Sequence, residues 1–154
     1  MNPSTELLPT NGASAMEIAG ILANGYAANG AFQDYHSRKA DNTLRRQRAD
    51  LQLFADFLAT AGIPDSPTGD ALYSDAASWK GITWGLVEGF RNWMLQQAYS
   101  VGSVNVRLST CKTYAKLAAK AGALGSSELS MIRNVNGYSH KESLRIDDKR
   151  DATR

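Results

Sequence analysis

Apolar residues recur at helical spacing in three well-separated stretches of the chain, and this periodicity predicts an all-α fold. The first predicted helix covers residues 43–61, where Gly62 and Pro64 end it, and Asp41 or Asn42 caps its beginning. Its apolar side is formed by Leu44, Leu51, Phe54 and Leu58.

The second and third predicted helices span residues 84–97 and 103–121. Thr83 caps the second helix, and Gly102 or Ser103 caps the third. The apolar side of the second helix comprises Leu86, Phe90, Trp93 and Met94. The buried side of the third comprises Val104, Leu108, Cys111, Ala115 and Ala118.

Glycine and proline divide the rest of the chain. Residues 64–82 contain two prolines and two glycines, so we predict a long loop there, with a turn of helix near residues 75–79. Shorter helices are expected over residues 29–38 and 126–136, and the pattern before residue 29 allows a further short helix. The pattern therefore predicts a bundle of four main helices plus a short N-terminal helix, without a strand.

The two ends of the chain differ in composition from its middle. Residues 1–14 are polar and rich in turn-forming residues, so we expect disorder there and a flexible segment over residues 1–28. Residues 139–154 are charged and lack apolar periodicity, which is typical of a linker. Residues 29–138 are then expected to form one domain.

Composition also bears on the cellular compartment. No stretch approaches the roughly 18 apolar residues that a bilayer span needs, and the N-terminus lacks the basic region of a signal peptide. The single cysteine, Cys111, excludes an internal disulfide, and its apolar neighbours predict a core position. We therefore expect a cytoplasmic protein without membrane contact.

The net charge of +2 conceals a marked segregation of charge. Between positions 50 and 90 there are six acidic residues and a single basic residue, Lys80. Basic residues gather instead at positions 45–48 and along the third long helix, which has no acid. That helix carries Arg107, Lys112, Lys116 and Lys120. If the fold brings the two clusters together, they form one positive face that suits a polyanion.

Three segments follow one another in an order that is typical of a known DNA-binding module. Residues 42–58 (NTLRRQRADLQLFADFL) combine a threonine start, an arginine-rich turn and an apolar run ending in Phe-Leu. Residues 90–95 (FRNWML) end the next helix, and residues 100–109 (SVGSVNVRLS) fit the pattern small-x-x-Thr/Ser-aliphatic-Asn-x-Arg/His-Leu-Ser. With these segments, residues 29–138 resemble the core-binding domain of tyrosine recombinases, the phage-integrase superfamily.

The resemblance implies a domain of two crossed helical pairs that grips one side of duplex DNA. In the family, a separate catalytic domain supplies two arginines, a lysine, a His-x-x-Arg motif and a tyrosine nucleophile. This chain has no His-x-x-Arg, since neither His36 nor His140 begins one. We therefore expect no catalytic residue here and no DNA cleavage by this polypeptide. It is expected to be monomeric, and the parent recombinase is expected to be a tetramer on DNA.

The resemblance also assigns DNA contacts to the N-terminal halves of the first and third long helices. The matching positions of the first helix are Thr43, Arg45 and Arg46. Those of the third are Gly102, Ser103, Asn105, Val106, Arg107 and Thr110.

Different contacts are expected from different side chains of this set. An asparagine such as Asn105 suits adenine, an arginine suits guanine, and Val106 suits the methyl group of thymine. Lys112, Lys116 and Lys120 recur every fourth residue, so we expect them along one edge of the helix as phosphate anchors.

Two other functions stay open on the sequence alone. A standalone helical DNA-binding regulator is disfavoured, because a helix-turn-helix needs a tight turn of three or four residues before its recognition helix. A helical protein-interaction domain with an incidental basic helix is the third class. No histidine lies at ligand spacing from a cysteine or carboxylate, so we expect no metal, no cofactor and no small-molecule substrate. The large aromatic residues are expected in the core rather than stacked on bases: Trp79, Trp84, Trp93 and Tyr114.

Overall fold

The computed structural model describes residues 12–153. In this range the chain forms eight α-helices and one short 3₁₀ helix, with no strand, so the predicted all-α class is confirmed. The disorder predicted for residues 1–14 concerns mainly residues 1–11, which lie outside the described range. The α-helices are α1 (Ala15–Asn29), α2 (Ala31–Arg38), α3 (Asp41–Thr60), α4 (Gly69–Ser74), α5 (Trp84–Gln96), α6 (Val101–Lys120), α7 (Ser126–Arg133) and α8 (His140–Ala152).

Helix α6 lies at the centre of the bundle and contacts α2, α3, α5 and α7. Its predicted buried side is confirmed, because all five of its members are at most 2% exposed. Two of them, Ala115 and Ala118, are small enough to let neighbouring helices approach closely. The exposed side of α6 therefore lies between the neighbouring helices that pack against its other sides.

Aromatic side chains fill the core between α3 and α5. Phe54 of α3 and Phe90 of α5 have ring centroids 5.0 Å apart, and Trp79 of the 3₁₀ helix lies 5.9 Å from Phe54. The expected core position is confirmed for Trp79 and Tyr114, which are fully buried, and for Trp93, which packs against this cluster. Trp84 is the exception, being 40% exposed.

The predicted long loop over residues 64–82 contains a helix that the sequence pattern did not indicate. The turn near residues 75–79 is confirmed as the 3₁₀ helix Ala76–Trp79, but α4 precedes it and packs on α3. Thr68 caps α4 by accepting a hydrogen bond from the Ala71 amide at 3.1 Å. A Cβ at Gly69 would lie 2.7 Å from Cα of Gln52, so only glycine fits this approach.

Two predicted helix caps are wrong. Helix α6 begins at Val101, because the Ser100 hydroxyl, rather than Gly102 or Ser103, provides the cap. Helix α3 begins at Asp41 without a side-chain cap from either Asp41 or Asn42. The predicted Thr83 cap of α5 is confirmed.

Both terminal segments of the described chain contain a helix. Helix α1 stands where a second short helix was expected before residues 29–38, in a segment also predicted as flexible, and α8 forms most of the predicted linker. Neither helix buries a residue, which explains why apolar periodicity does not reveal α8. Helix α8 begins with a capping box between Ser139 and Glu142, and Arg150 donates to the Leu95 carbonyl at 2.9 Å. None of the described helices combines the length and apolarity that a membrane crossing requires.

Candidate nucleic-acid interface

The N-terminal halves of α3 and α6 lie side by side, and a buried carboxylate joins them. Asp50 of α3 is 5% exposed and accepts a hydrogen bond from the Thr110 hydroxyl of α6 at 2.7 Å. Arg46 Nη1 lies 3.3 Å from Asp50 Oδ2, and Arg107 Nε lies 3.8 Å from Oδ1. One buried negative charge therefore holds one arginine from each helix that was predicted to touch DNA.

Further contacts fix the guanidinium group of Arg107. It lies over the ring of Tyr99, 4.6 Å from the centroid, and it also hydrogen-bonds the Ser103 hydroxyl. The carboxylate, the ring and the hydroxyl restrict the rotamers of Arg107, so the side chain would lose less entropy on binding a ligand. The Ser103 hydroxyl thus accepts a hydrogen bond from Arg107, and the Ser103 backbone amide donates to the Ser100 hydroxyl.

Several predicted contact residues surround two shallow depressions at this junction. Arg46 and Val106 border both depressions, which have volumes of about 300 and 270 Å³. Val106 is 43% exposed and Gly102 faces open space, so both remain accessible. Arg45 is exposed, and Thr43 is half-buried. The structure therefore brings Arg46 of α3 together with Gly102, Val106 and Arg107 of α6 around one depression. Thr43 and Arg45 do not line it.

Thr110 is a correction to the predicted contact set. It is 2% exposed, and its hydroxyl donates to Asp50 instead of pointing outward. The helical register explains this, because Thr110 lies between the buried positions Leu108 and Cys111 on the α3-facing side. Its side chain joins α6 to α3 and is not available to a ligand.

Asn105 is a second correction, because its amide is already bonded within the chain. Its Nδ2 donates to the Tyr138 carbonyl at 2.9 Å, and its Oδ1 accepts from the Tyr138 amide at 2.8 Å. A Cβ at Gly137 would come within 3.0 Å of Asn105 Cγ, so glycine is required beside it. Asn105 thus anchors the segment after α7, and the arrangement leaves neither amide group for adenine.

The three lysines of α6 do not share one edge, contrary to the prediction. Lys116 and Lys120 border a groove with α2, whereas Lys112 is partly buried on the side facing Arg91. Burial, reinforced by the Arg91 charge, lowers the pKa of Lys112. A spacing of four residues advances about 40° around a helix, so Lys112 and Lys120 diverge by about 80°.

Sequence reasoning missed two cations that extend the basic surface. Arg38 and Lys39, at the end of α2, line the same groove as Lys116 and Lys120. Their position at the end of a predicted helix was visible in the sequence, but their proximity to α6 depends on the tertiary fold. The role of Asp50 in joining α3 to α6 was also not predicted. Its position beside Leu51 and four residues before Phe54, on the apolar side of α3, nevertheless indicates burial.

A cluster of aromatic and polar side chains joins α2 to α3, α4 and α6. The Tyr114 hydroxyl donates to Gln47 Oε1 at 3.1 Å, so its oxygen accepts from Nε2 of His36 at 3.0 Å. The His36 ring stacks on Tyr73 with centroids 4.1 Å apart. Burial, together with the charge of Arg48, lowers the pKa of His36. The lowered pKa favours the neutral imidazole, which joins α2 to Tyr73 and Tyr114.

No protein-family model matches this chain, and comparisons with curated proteins and with solved structures give no match either. Within residues 12–153, no three histidine, cysteine or acidic side chains are grouped as metal ligands. The candidate site consequently rests on its own geometry and charge.

Proposed function

We propose that the chain binds duplex DNA through the face where α3 and α6 meet, as the core-binding domain of a tyrosine recombinase. The observation that supports this most is the junction at Asp50, where Arg46 and Arg107 come from the two helices that the family resemblance assigns to DNA. A duplex attracts such a surface because bound cations release counterions from the phosphates.

Roles within the surface follow from exposure. Arg45, Arg46 and Val106 are accessible and are proposed to face the groove of the duplex. Lys116 and Lys120 are proposed to bind phosphates further along the duplex. The stretch of α6 from Ser103 to Lys120 is about 25 Å long. The chain holds DNA in this proposal, as a monomer, and strand cleavage belongs to a catalytic domain of the family type in a tetrameric parent enzyme.

Charge reversal at one exposed arginine tests the proposal. Arg45 is exposed and takes part in none of the ion pairs found among residues 12–153, so Arg45→Glu should leave the fold intact. We expect it to weaken binding of a fluorescent duplex by about tenfold or more, measured by anisotropy at low salt.

The matched control is Lys80→Glu, which makes the same charge change at an exposed site in the acidic part of the chain. It should leave affinity within about twofold. Equal weakening by both variants, or no duplex binding by the unchanged protein, would contradict the proposal.

A further inference from the structure

A groove of about 700 Å³ lies between the end of α2, the C-terminal half of α6 and the start of α7. Its floor is apolar, formed by Tyr35, Leu117, Leu124 and Leu129. One side of each of these side chains packs against the hydrophobic core, and the other side lines the groove.

The rim of this α2–α6–α7 groove is cationic. Arg38 and Lys39 stand on one side and Lys116 and Lys120 on the other, and no acidic residue lines the groove. Arg38 pairs with Asp34 at 3.0 Å, and the Lys39 ammonium lies 5.3 Å from the centroid of Tyr35. Three of the four cations therefore keep their charge unpaired at the rim, in a chain whose net charge is only +2.

An apolar floor between cationic rims fits one class of ligand better than DNA. Phosphates gain nothing from leucine side chains, since burying a charge against an apolar surface is costly. An amphipathic helix instead places apolar side chains at i, i+3, i+4 and i+7 into a hydrophobic groove. Carboxylates flanking that apolar stripe would then reach the lysines and arginines of the rim.

We propose that the α2–α6–α7 groove binds an acidic amphipathic helix of a protein partner. The apolar side chains of that helix occupy the floor, and its carboxylates pair with Lys116, Lys120 and Lys39. This site does not depend on the proposed DNA binding, although it shares Lys116 and Lys120 with that surface.

A designed peptide tests this with the full chain. The probe is a fluorescent helix of about 16 residues, with leucine at i, i+3, i+4 and i+7 positions and glutamate elsewhere. We expect saturable binding with a Kd below about 1 mM by anisotropy. A scrambled peptide of equal composition, and one with glutamine for glutamate, should each bind at least about tenfold more weakly.

Two variants locate the binding. Ser126 is exposed, lines the groove and is the first residue of α7, so Ser126→Glu adds a carboxylate that the helix dipole favours while repelling the probe. This variant and Lys120→Glu should each weaken peptide binding by about tenfold or more, and Lys80→Glu should not. Ser126→Glu should leave duplex binding within about threefold, since it lies off the α3–α6 junction.

The outcomes separate the two proposals. Failure of the probe to bind, equal binding of the scrambled peptide, or unchanged binding by Ser126→Glu would overturn the groove assignment. A Ser126→Glu variant that loses duplex affinity as strongly as peptide affinity would overturn it too, because the groove would then belong to the DNA surface. If peptide binds and duplex does not, the DNA proposal fails and the groove assignment stands.

Discussion

At Asp50, one carboxylate with 5% exposure carries the contacts that join α3 to α6. It accepts the Thr110 hydroxyl and lies within 4 Å of nitrogen atoms of Arg46 and Arg107. A buried charge is tolerated only where partners replace its lost hydration. Both arginines remain partly exposed, so the carboxylate positions them without removing them from the surface.

Replacement of Asp50 by asparagine should lower stability. Asp50→Asn removes the charge that Arg46 and Arg107 share, and we expect the free energy of unfolding to fall by about 1–3 kcal/mol in urea titrations. The control Asp56→Asn affects an exposed carboxylate of the same helix, whose hydrogen bond comes from Gln52, and should cost less than about 0.5 kcal/mol. Equal stability of the two variants would contradict the role given to Asp50.

His36 should make stability depend on pH. Because the folded protein lowers its pKa below the ordinary value of 6.5, the unfolded chain takes up a proton first as pH falls. The contribution of His36 is thus complete above pH 6.5 and is lost as pH decreases toward the lowered pKa.

The comparison that isolates this effect uses His36→Gln, which does not titrate. We expect the unchanged protein to lose more unfolding free energy between about pH 7.5 and pH 5.5 than the variant does. Carboxylates contribute equally to both and cancel. Identical pH profiles would show that His36 does not titrate differently in the folded state.

Among the elements, α4 depends on a close approach that a single atom would prevent. Gly69→Ala places a Cβ against the backbone of Gln52 in α3, and overpacking of this kind costs about 1–3 kcal/mol. Gly85→Ala in α5 is the control, since its Cβ would meet only the Thr83 hydroxyl at 3.8 Å, and it should stabilise by about 0.5 kcal/mol. Thermal unfolding of both variants gives the comparison, and a stable Gly69→Ala variant would contradict the packing described.

The elements also differ in how far the sequence predicts them. Helices α3, α5 and α6 each bury one side, so apolar periodicity identified them and the five core positions of α6. Helix α4 has only six residues, and α8 buries nothing, so neither produces a periodic signal. Helix caps depend on local hydrogen bonds, and Ser100 was not distinguished from its small polar neighbours.

On the scale of the molecule, the sequence predicts which helices carry the basic face but not which side chains stay free. Arg46, Val106 and Arg107 border one depression at the α3–α6 junction, and Arg45 is exposed on α3. Thr110 and Asn105 are engaged by Asp50 and Tyr138, partners 60 and 33 residues away in sequence. Such distant pairings, like the approach of Arg38 to Lys120, arise only from tertiary packing.

Binding of DNA phosphates by the α3–α6 face should make the affinity for duplex DNA depend steeply on salt. If about four cations of the α3–α6 surface neutralise phosphates, affinity should fall on the order of 10²-fold between about 50 and 200 mM salt. Arg45→Glu should reduce the slope of log affinity against log salt by about one, and Lys80→Glu should not change it. Affinity that is independent of salt, or no detectable duplex binding at the lower salt concentration, would contradict DNA binding by this face.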